Sequence, residues 1–194
     1  MPLQPVTLEG RAVRLEPLSM DHLDGLYMAA QDESIWRWTL QVIHTREDMA
    51  VYIQQALDGW QAGRFLPFAT VDTRTGSVVG STRYDWISPT DRNLEIGWTW
   101  IHPRAQRTAI NTEAKYLMLR HAFEEMGCIR VQLKTDSLNE KSRAAIARLG
   151  AKEEGILRNH MITQGGRYRH SVMFCITDAE WPAVRAGLQA KLNY

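Results

Sequence analysis

Leu94-Glu95-Ile96-Gly97-Trp98-Thr99-Trp100-Ile101-His102-Pro103-Arg104-Ala105-Gln106-Arg107-Thr108-Ala109-Ile110-Asn111-Thr112-Glu113-Ala114 runs from a strand, through a turn, into the amino terminus of a helix. From Thr112 to Met126 the apolar residues Met118, Leu119, Ala122, Phe123 and Met126 fall on one side, and Gly127 supplies the stop. Such a junction binds anions: unpaired N–H groups of the first helical turn and the positive end of the helix dipole converge on one spot. A pyrophosphate can be held at such a spot without net positive charge, and Arg104 and Arg107 are placed to add direct contacts. The strand half carries one carboxylate, Glu95, among apolar residues. Burial beside aromatic groups raises a carboxyl pKa towards the range of a general base, which an amine needs because its ammonium form is not nucleophilic. The alternative is a salt-bridged strand residue, with Arg83 as partner.

Working outward, strands and helices alternate along the whole chain. Residues 12–17 read as a strand, followed by a helix capped at Ser19 or Asp21 and a tryptophan-rich loop over 32–39. Thr45 with Asp48 resembles a capping box for a helix ending at Gly63. Residues 65–72, 77–87 and 94–101 form a meander, and 129–135 is a strand. Asn139 or Ser137 caps a helix that Gly150 ends; strands 151–158 and 169–176 flank a turn at Gly165-Gly166, and 178–192 is a last helix with Pro182 in its first turn. The reading is mixed α/β in one domain, 1–194, with a strand-helix-strand crossover in the middle.

The 194 residues are 44% hydrophobic and 23% charged, and no run of about 18 apolar residues is present. With 23 basic and 22 acidic residues the net charge is +1, which gives no overall footprint for nucleic acid or anionic membrane. Met1–Gly10 lacks a secretion signal, and Cys128 and Cys175 read as buried free thiols, so the expected compartment is the cytoplasm. Six histidines include no pair at metal-binding helical spacing, and no metal is expected. Cys128 has no histidine neighbour that would make it a nucleophile.

A further segment carries chemistry: Asp136-Ser137-Leu138-Asn139-Glu140-Lys141-Ser142, then an apolar helix to Leu149-Gly150-Ala151, then Glu154-Gly155-Ile156-Leu157-Arg158. Asn139 offers acceptor and donors to an amide-bearing ligand, and Ser142, one turn later, shares its helix face. Capping alone is the other reading of this pair. The segment resembles the GNAT acetyltransferase superfamily in its RimJ/RimL-like branch, which has N-x-x-S here. Glu95-Ile96-Gly97-Trp98 resembles the strand that bears the branch's acidic residue, and Gln106 with Thr112-Glu113-Ala114 its phosphate motif. Ala109 and Asn111 stand where that motif has glycine, or glycine or alanine.

The resemblance implies a mostly antiparallel twisted sheet, splayed at a parallel strand pair and flanked by helices. It implies acetyl transfer from acetyl-CoA to a primary amine by direct attack in a ternary complex, with Glu95 as base and Ser142 serving the departing sulfur. Cofactor contacts are expected from Trp100, Ile101, Gln106, Arg107, Thr108, Ala109, Ile110, Asn111, Thr112, Asn139, Ser142 and Arg143. Lys134, Lys141 and Arg148 are further candidates for the CoA 3′-phosphate or adenine. Trp36, Trp38, Tyr84 and Trp86 are the expected acceptor-pocket walls. The acceptor is a small-molecule amine or a protein amino terminus, and a second copy of the chain stays open as a partner. A rival reading, motivated by Ala109 and Asn111, is a regulatory acyl-CoA-binding protein that catalyses nothing.

Overall fold

A computed structural model describes residues 4–194; the first three positions of the amino-terminal segment read for a secretion signal lie outside it. Strands β1 (Leu8–Glu9) and β2 (Val13–Pro17) lead to a 3-10 turn at Met20–His22 and helix α1 (Leu23–Ala29). The tryptophan-rich segment, read as a loop, is a 3-10 turn at Glu33–Trp38, capped by Asp32. Helix α2 (Arg46–Gln61) starts at the expected capping box: Asp48 N–H donates to Thr45 Oγ1 at 3.1 Å, and Thr45 N–H returns to Asp48 Oδ2 at 2.8 Å. Strands β3 (Leu66–Asp72), β4 (Val78–Ser88) and β5 (Asn93–Ile101) form the meander. Helix α3 (Ala109–Arg120), with a π-turn at His121–Glu125, leads to β6 (Arg130–Asp136), α4 (Glu140–Leu149), β7 (Lys152–Ile162), β8 (Tyr168–Thr177) and α5 (Trp181–Leu192).

The eight strands make one sheet in the order β1-β2-β3-β4-β5-β6-β8-β7. Every pairing is antiparallel except β5 with β6. One face packs Leu15, Phe68, Tyr84, Val131 and Phe174 against Leu117 and Met118 of α3, Ile146 of α4 and Leu188 of α5. The other packs Ala69 and Trp100 against Leu26 of α1 and Met49 and Ile53 of α2. Period-two alternation feeds both cores, because successive side chains of a strand point to opposite faces.

The parallel pair is short. β5 and β6 are in register only from Asn93↔Arg130 to Glu95↔Gln132, and beyond that point they part. A bulge in β5 accompanies the parting: Ser81 opposes Trp100 and Arg83 opposes Gly97, so Trp98 and Thr99 together face Thr82. Trp98 takes φ 53, and such a bulge bends and twists its strand. Beneath it, the Lys115 ammonium of α3 donates to Thr99 Oγ1 at 2.6 Å and Thr82 Oγ1 at 3.1 Å. Burial away from any carboxylate pulls its pKa down to about 7.

Glu113 fixes the near end of α3 to the sheet. Its carboxylate accepts the backbone N–H groups of Arg11, Ala12 and Val13 at 3.0, 2.6 and 2.8 Å, and the Tyr194 hydroxyl. Gly10 has room only for hydrogen, since a Cβ there would lie 2.5 Å from that carboxylate. Glu113→Ala orphans these donors, one of them buried, and is expected to cost at least about 2 kcal/mol. Urea unfolding checks this; a loss under about 0.5 kcal/mol contradicts it.

Candidate active site

Glu95 stands at the last paired position before β5 and β6 separate, with 1% of its surface exposed. Its partner is Lys134 of β6 rather than Arg83: the ammonium lies 2.8 Å from Oε1 and 3.0 Å from Oε2, and Gln132 Nε2 donates to Oε2 at 3.1 Å. Burial raises the Glu95 pKa above its ordinary value; the Lys134 charge and hydrogen bond oppose this, and nearby Asp85 adds to it. Gly97 follows on the same face, where a Cβ would sit 2.8 Å from Glu95 Oε1. Lys134, read as a candidate for the CoA phosphate, is committed to this ion pair and lies under the Trp86 ring, 6.0 Å from its centroid.

Arg83, opposite Gly97, is buried in a cage of Trp98, Phe65 and Tyr52, its guanidinium carbon 4.3, 5.0 and 5.1 Å from the three ring centroids. Asp85 accepts from Trp98 Nε1 at 2.9 Å and from the Trp86 N–H at 2.7 Å. The sequence signal for these partners was the alternation itself, which puts Gln132 and Lys134 on one face of β6; which face meets Glu95 needed the parallel register.

Past Glu95, residues 96–101 of β5 have β4 on one side and no strand on the other. Part of their backbone N–H and C=O groups therefore faces an open wedge, a strand edge suited to an amide-bearing chain. Trp100 and Ile101 offer main chain only: the Trp100 ring packs on Trp36 and donates to the Tyr52 hydroxyl at 3.2 Å, and both side chains are buried.

At the mouth of the wedge, Gln106 ties both walls together: its Nε2 donates to the Ile101 carbonyl at 3.0 Å, and its Oε1 accepts from Lys141 of α4 at 2.8 Å. α3 begins at Ala109, three residues before the Thr112 start read from periodicity, because Thr108 caps it and its Oγ1 accepts the Ile110 N–H. Ile110 is therefore corrected as a cofactor residue: its N–H is taken and its side chain lies in the core. The one left-handed residue of the turn is Arg107, φ 61, and Ala109 and Asn111 sit in the helix with no positive φ. Arg107, Thr108 and Ala109 are exposed, and Asn111 and Thr112 half-buried. First-turn N–H groups have no intrahelical acceptor, so this end is open to a phosphate.

Asn139 caps α4, its Oδ1 accepting the Ser142 N–H at 3.1 Å, and the Ser142 hydroxyl has no hydrogen-bond partner among the described residues. Arg143 is bound elsewhere, to the Ser137 carbonyl at 3.4 Å and to Glu153 at 3.3 Å, and does not present a free guanidinium to a cofactor. Of the four expected acceptor walls, Trp86 and Trp38 border one face of β6 and β8, near Lys134 and Arg167. Tyr84 does not: it lies on the opposite face, its hydroxyl donating to the Met118 carbonyl at 2.7 Å. Trp36 is buried against Trp100, with its Nε1 donating to the Ala30 carbonyl at 2.9 Å. Both cysteines are buried thiols outside any disulfide, pushed up to about 11 by desolvation, far from thiolate character. Among the described residues no His, Cys, Asp and Glu group has metal-binding geometry, and no helix is long and apolar enough to cross a membrane.

A parallel pair parting just past a buried carboxylate, with a helix amino terminus at the mouth, is the arrangement that the resemblance to GNAT acetyltransferases implies. The chain belongs to the GNAT acetyltransferase family, whose domain model, "Acetyltransferase (GNAT) domain", matches residues 12–152. The Bacillus subtilis protein YdaF, provisionally named a ribosomal N-acetyltransferase, is 32% identical over 106 residues, 55% of this chain and 57% of that one. The match thus spans little more than half of that relative. The crystal structure of a GCN5-related N-acetyltransferase from Brucella melitensis superposes with TM-score 0.90 at 32% identity, covering 96% of this chain and 85% of that one. Mycobacterium smegmatis RimJ, solved with CoA-disulfide, shares the fold at TM-score 0.85 and 22% identity, over 99% and 97% of the two chains.

Gly97→Ala is expected to push the Glu95 carboxylate off Lys134, lowering acetyl-transfer kcat at least about tenfold with CoA affinity kept. Steady-state kinetics beside calorimetric titration of CoA read both; unchanged kcat contradicts the placement of Glu95.

Proposed function

We propose that the chain acetylates a primary amine, taking the acyl group from acetyl-CoA by direct attack in a ternary complex, and that Glu95 is the base. The observation that carries this is the buried carboxylate at the point where β5 and β6 separate. Acetyl-CoA supplies an activated thioester. The residues suit it: the free edge of 96–101 for the pantetheine amides, the open turn of α3 from Arg107 to Thr112 for the diphosphate, and Asn139 with Ser142 beside the arm.

Glu95 takes the ammonium proton, directly or through one water, and its raised pKa makes it a better base than an exposed carboxylate. Lys134 and Gln132 fix the carboxylate, so the rotamer is set before the acceptor arrives. As the amine nitrogen bonds to the acyl carbon and the carbon–sulfur bond breaks, the unpartnered Ser142 hydroxyl donates its proton to the sulfur and regains one from solvent. Backbone N–H groups of the free β5 edge stabilise the oxyanion.

Two of the motif's glycines are absent, which motivated the reading as a non-catalytic acyl-CoA binder. Ala109 and Asn111 adopt helical backbone that demands no glycine, which removes the conformational half of that motive and leaves the Cβ at position 109 as its other half. A protein amine as acceptor draws support from the name of YdaF, and a cytoplasmic setting from the two cysteines standing outside any disulfide.

Glu95→Gln is expected to lower kcat about 100-fold and to remove the acidic limb of the kcat/KM profile. In the unsubstituted protein that limb lies above pH 4.5, the ordinary carboxyl value, since activity is lost as protons fill a carboxylate of raised pKa. Ser142→Ala is expected to lower kcat about tenfold, with CoA binding retained in both variants. Free-thiol release across a panel of amines measures this; full activity in both variants removes the assignment.

A further inference from the structure

Beyond Glu95 the face of the sheet shared with α1 and α2 continues across β6 and β8, but there no helix covers it. α4 and α5 pack on the other side, where Ile146 and Leu188 join the core. The uncovered face is mixed, apolar where Cys175 and Met173 lie opposite Gln132 and Lys134 and polar beyond, where Ser171, opposite Asp136, follows Arg169 along β8. Trp86 and Trp38 stand at its border.

Three polar atoms here are buried without a hydrogen-bond partner: Arg169 Nε, Ser171 Oγ and His160 Nδ1. Arg169 is 7% exposed and Ser171 0%. Folded proteins satisfy nearly all such groups, so three together call for a specific partner. The charges point the same way. Lys134 is paired with Glu95, and Arg167 with Asp136, whose other oxygen accepts the Leu138 N–H at 3.0 Å. Arg169 feels Asp136 and Glu95 electrostatically, is repelled by Arg167, and has no carboxylate of its own. A buried cation without a hydrogen-bonded counter-charge is costly, and a bound carboxylate offsets that cost.

The backbone of β7 is shaped to complete the cluster. Leu157 opposes Ser171 and Met161 opposes Arg169, so Arg158, Asn159 and His160 together face His170. Asn159 takes φ 50 and its N–H donates to His170 Nδ1 at 2.8 Å, which holds the bulge and brings His160 near Lys134 and Arg169. Burial and these neighbouring cations lower the His160 pKa, which favours its neutral ring over a third charge. One guanidinium, one hydroxyl and one imidazole match a singly charged carboxylate.

We propose that Arg169, Ser171 and His160 form a carboxylate subsite of the acceptor pocket, so that the amine acetylated at Glu95 carries a carboxylate on the same molecule. This rests on the acetyl-transfer reading for its amine half only. The shared chemistry has two sources, a free amino acid and an acidic first residue of a peptide, and the test separates them.

The experiment compares matched acceptors that differ only in the carboxylate: amino acids against their amides, and peptides beginning with Asp or Glu against Asn or Gln. For each, kcat/KM is measured by thiol release, and binding to the CoA-loaded protein by calorimetry. At least one series is expected to favour the carboxylate 10-fold or more through KM and Kd, naming the source. Arg169→Gln is expected to bring that ratio close to one. Equal kcat/KM and Kd within both series overturns the subsite, whether or not amines are acetylated. Carboxylate-dependent binding without thiol release leaves the subsite standing and overturns the acetyl-transfer reading instead. Should Arg169→Gln not fold, the wild-type ratios and His160→Gln, expected to weaken the preference at least 3-fold, still decide.

Discussion

β5 and β6 share three residue pairs and then separate, and the site is organised around that separation. A buried parallel pair would ordinarily continue, because each unpaired backbone group inside a protein costs as much as a lost hydrogen bond. Here the bulge at Trp98 and Thr99 accompanies the parting, and it is bonded from below by Lys115. Beyond Glu95 the sheet thus has an internal edge, with one wall made by β5 and the turn before α3, the other by β6 and the cap of α4. Gln106 and Lys141 span the two walls at their mouth. An open edge of this kind leaves backbone groups free to pair with a chain that carries amide groups.

The buried carboxylate at the apex is held by opposing effects. Desolvation favours its neutral form, and the Lys134 ammonium favours its charged form. Burial wins in direction, and the ion pair and the Gln132 hydrogen bond pull against it. Gly97 is part of the same arrangement, since any larger residue would occupy the space of the carboxylate oxygen. Glu113 plays a purely architectural part, gathering three backbone donors at the start of β2 and thereby fixing where α3 begins its run beneath the sheet. The start of α3 and the apex of the wedge are in this way each marked by a buried glutamate.

Much of this was legible in sequence. The capping box at Thr45, the asparagine cap at Asn139, the glycine stop at Gly150 and the meander are written in local chemistry, and the family resemblance supplied the sheet. The boundary of α3 was misread because periodicity sees the apolar stripe and not the Thr108 cap that starts the helix three residues earlier. An aromatic residue carries no mark of the face it occupies or of its burial; register puts Tyr84 on the face opposite Glu95, and Trp36, on the Glu95 side, is buried in its stack with Trp100. Partnerships across the sheet, Glu95 with Lys134 and Asp136 with Arg167, depend on strand order and register, which no local pattern encodes. The orphaned cluster at Arg169 was invisible for the same reason.

The central claim is that the parted strands receive the acyl-CoA arm. A crystal structure of the CoA complex tests it most directly. The pantetheine amides are expected to hydrogen-bond the free edge of residues 96–101, with the diphosphate on backbone N–H groups at the turn from Arg107 into α3 and the sulfur near Glu95 and Ser142. CoA ordered outside this wedge, or β5 and β6 hydrogen-bonded along their whole length with the cofactor present, would contradict it.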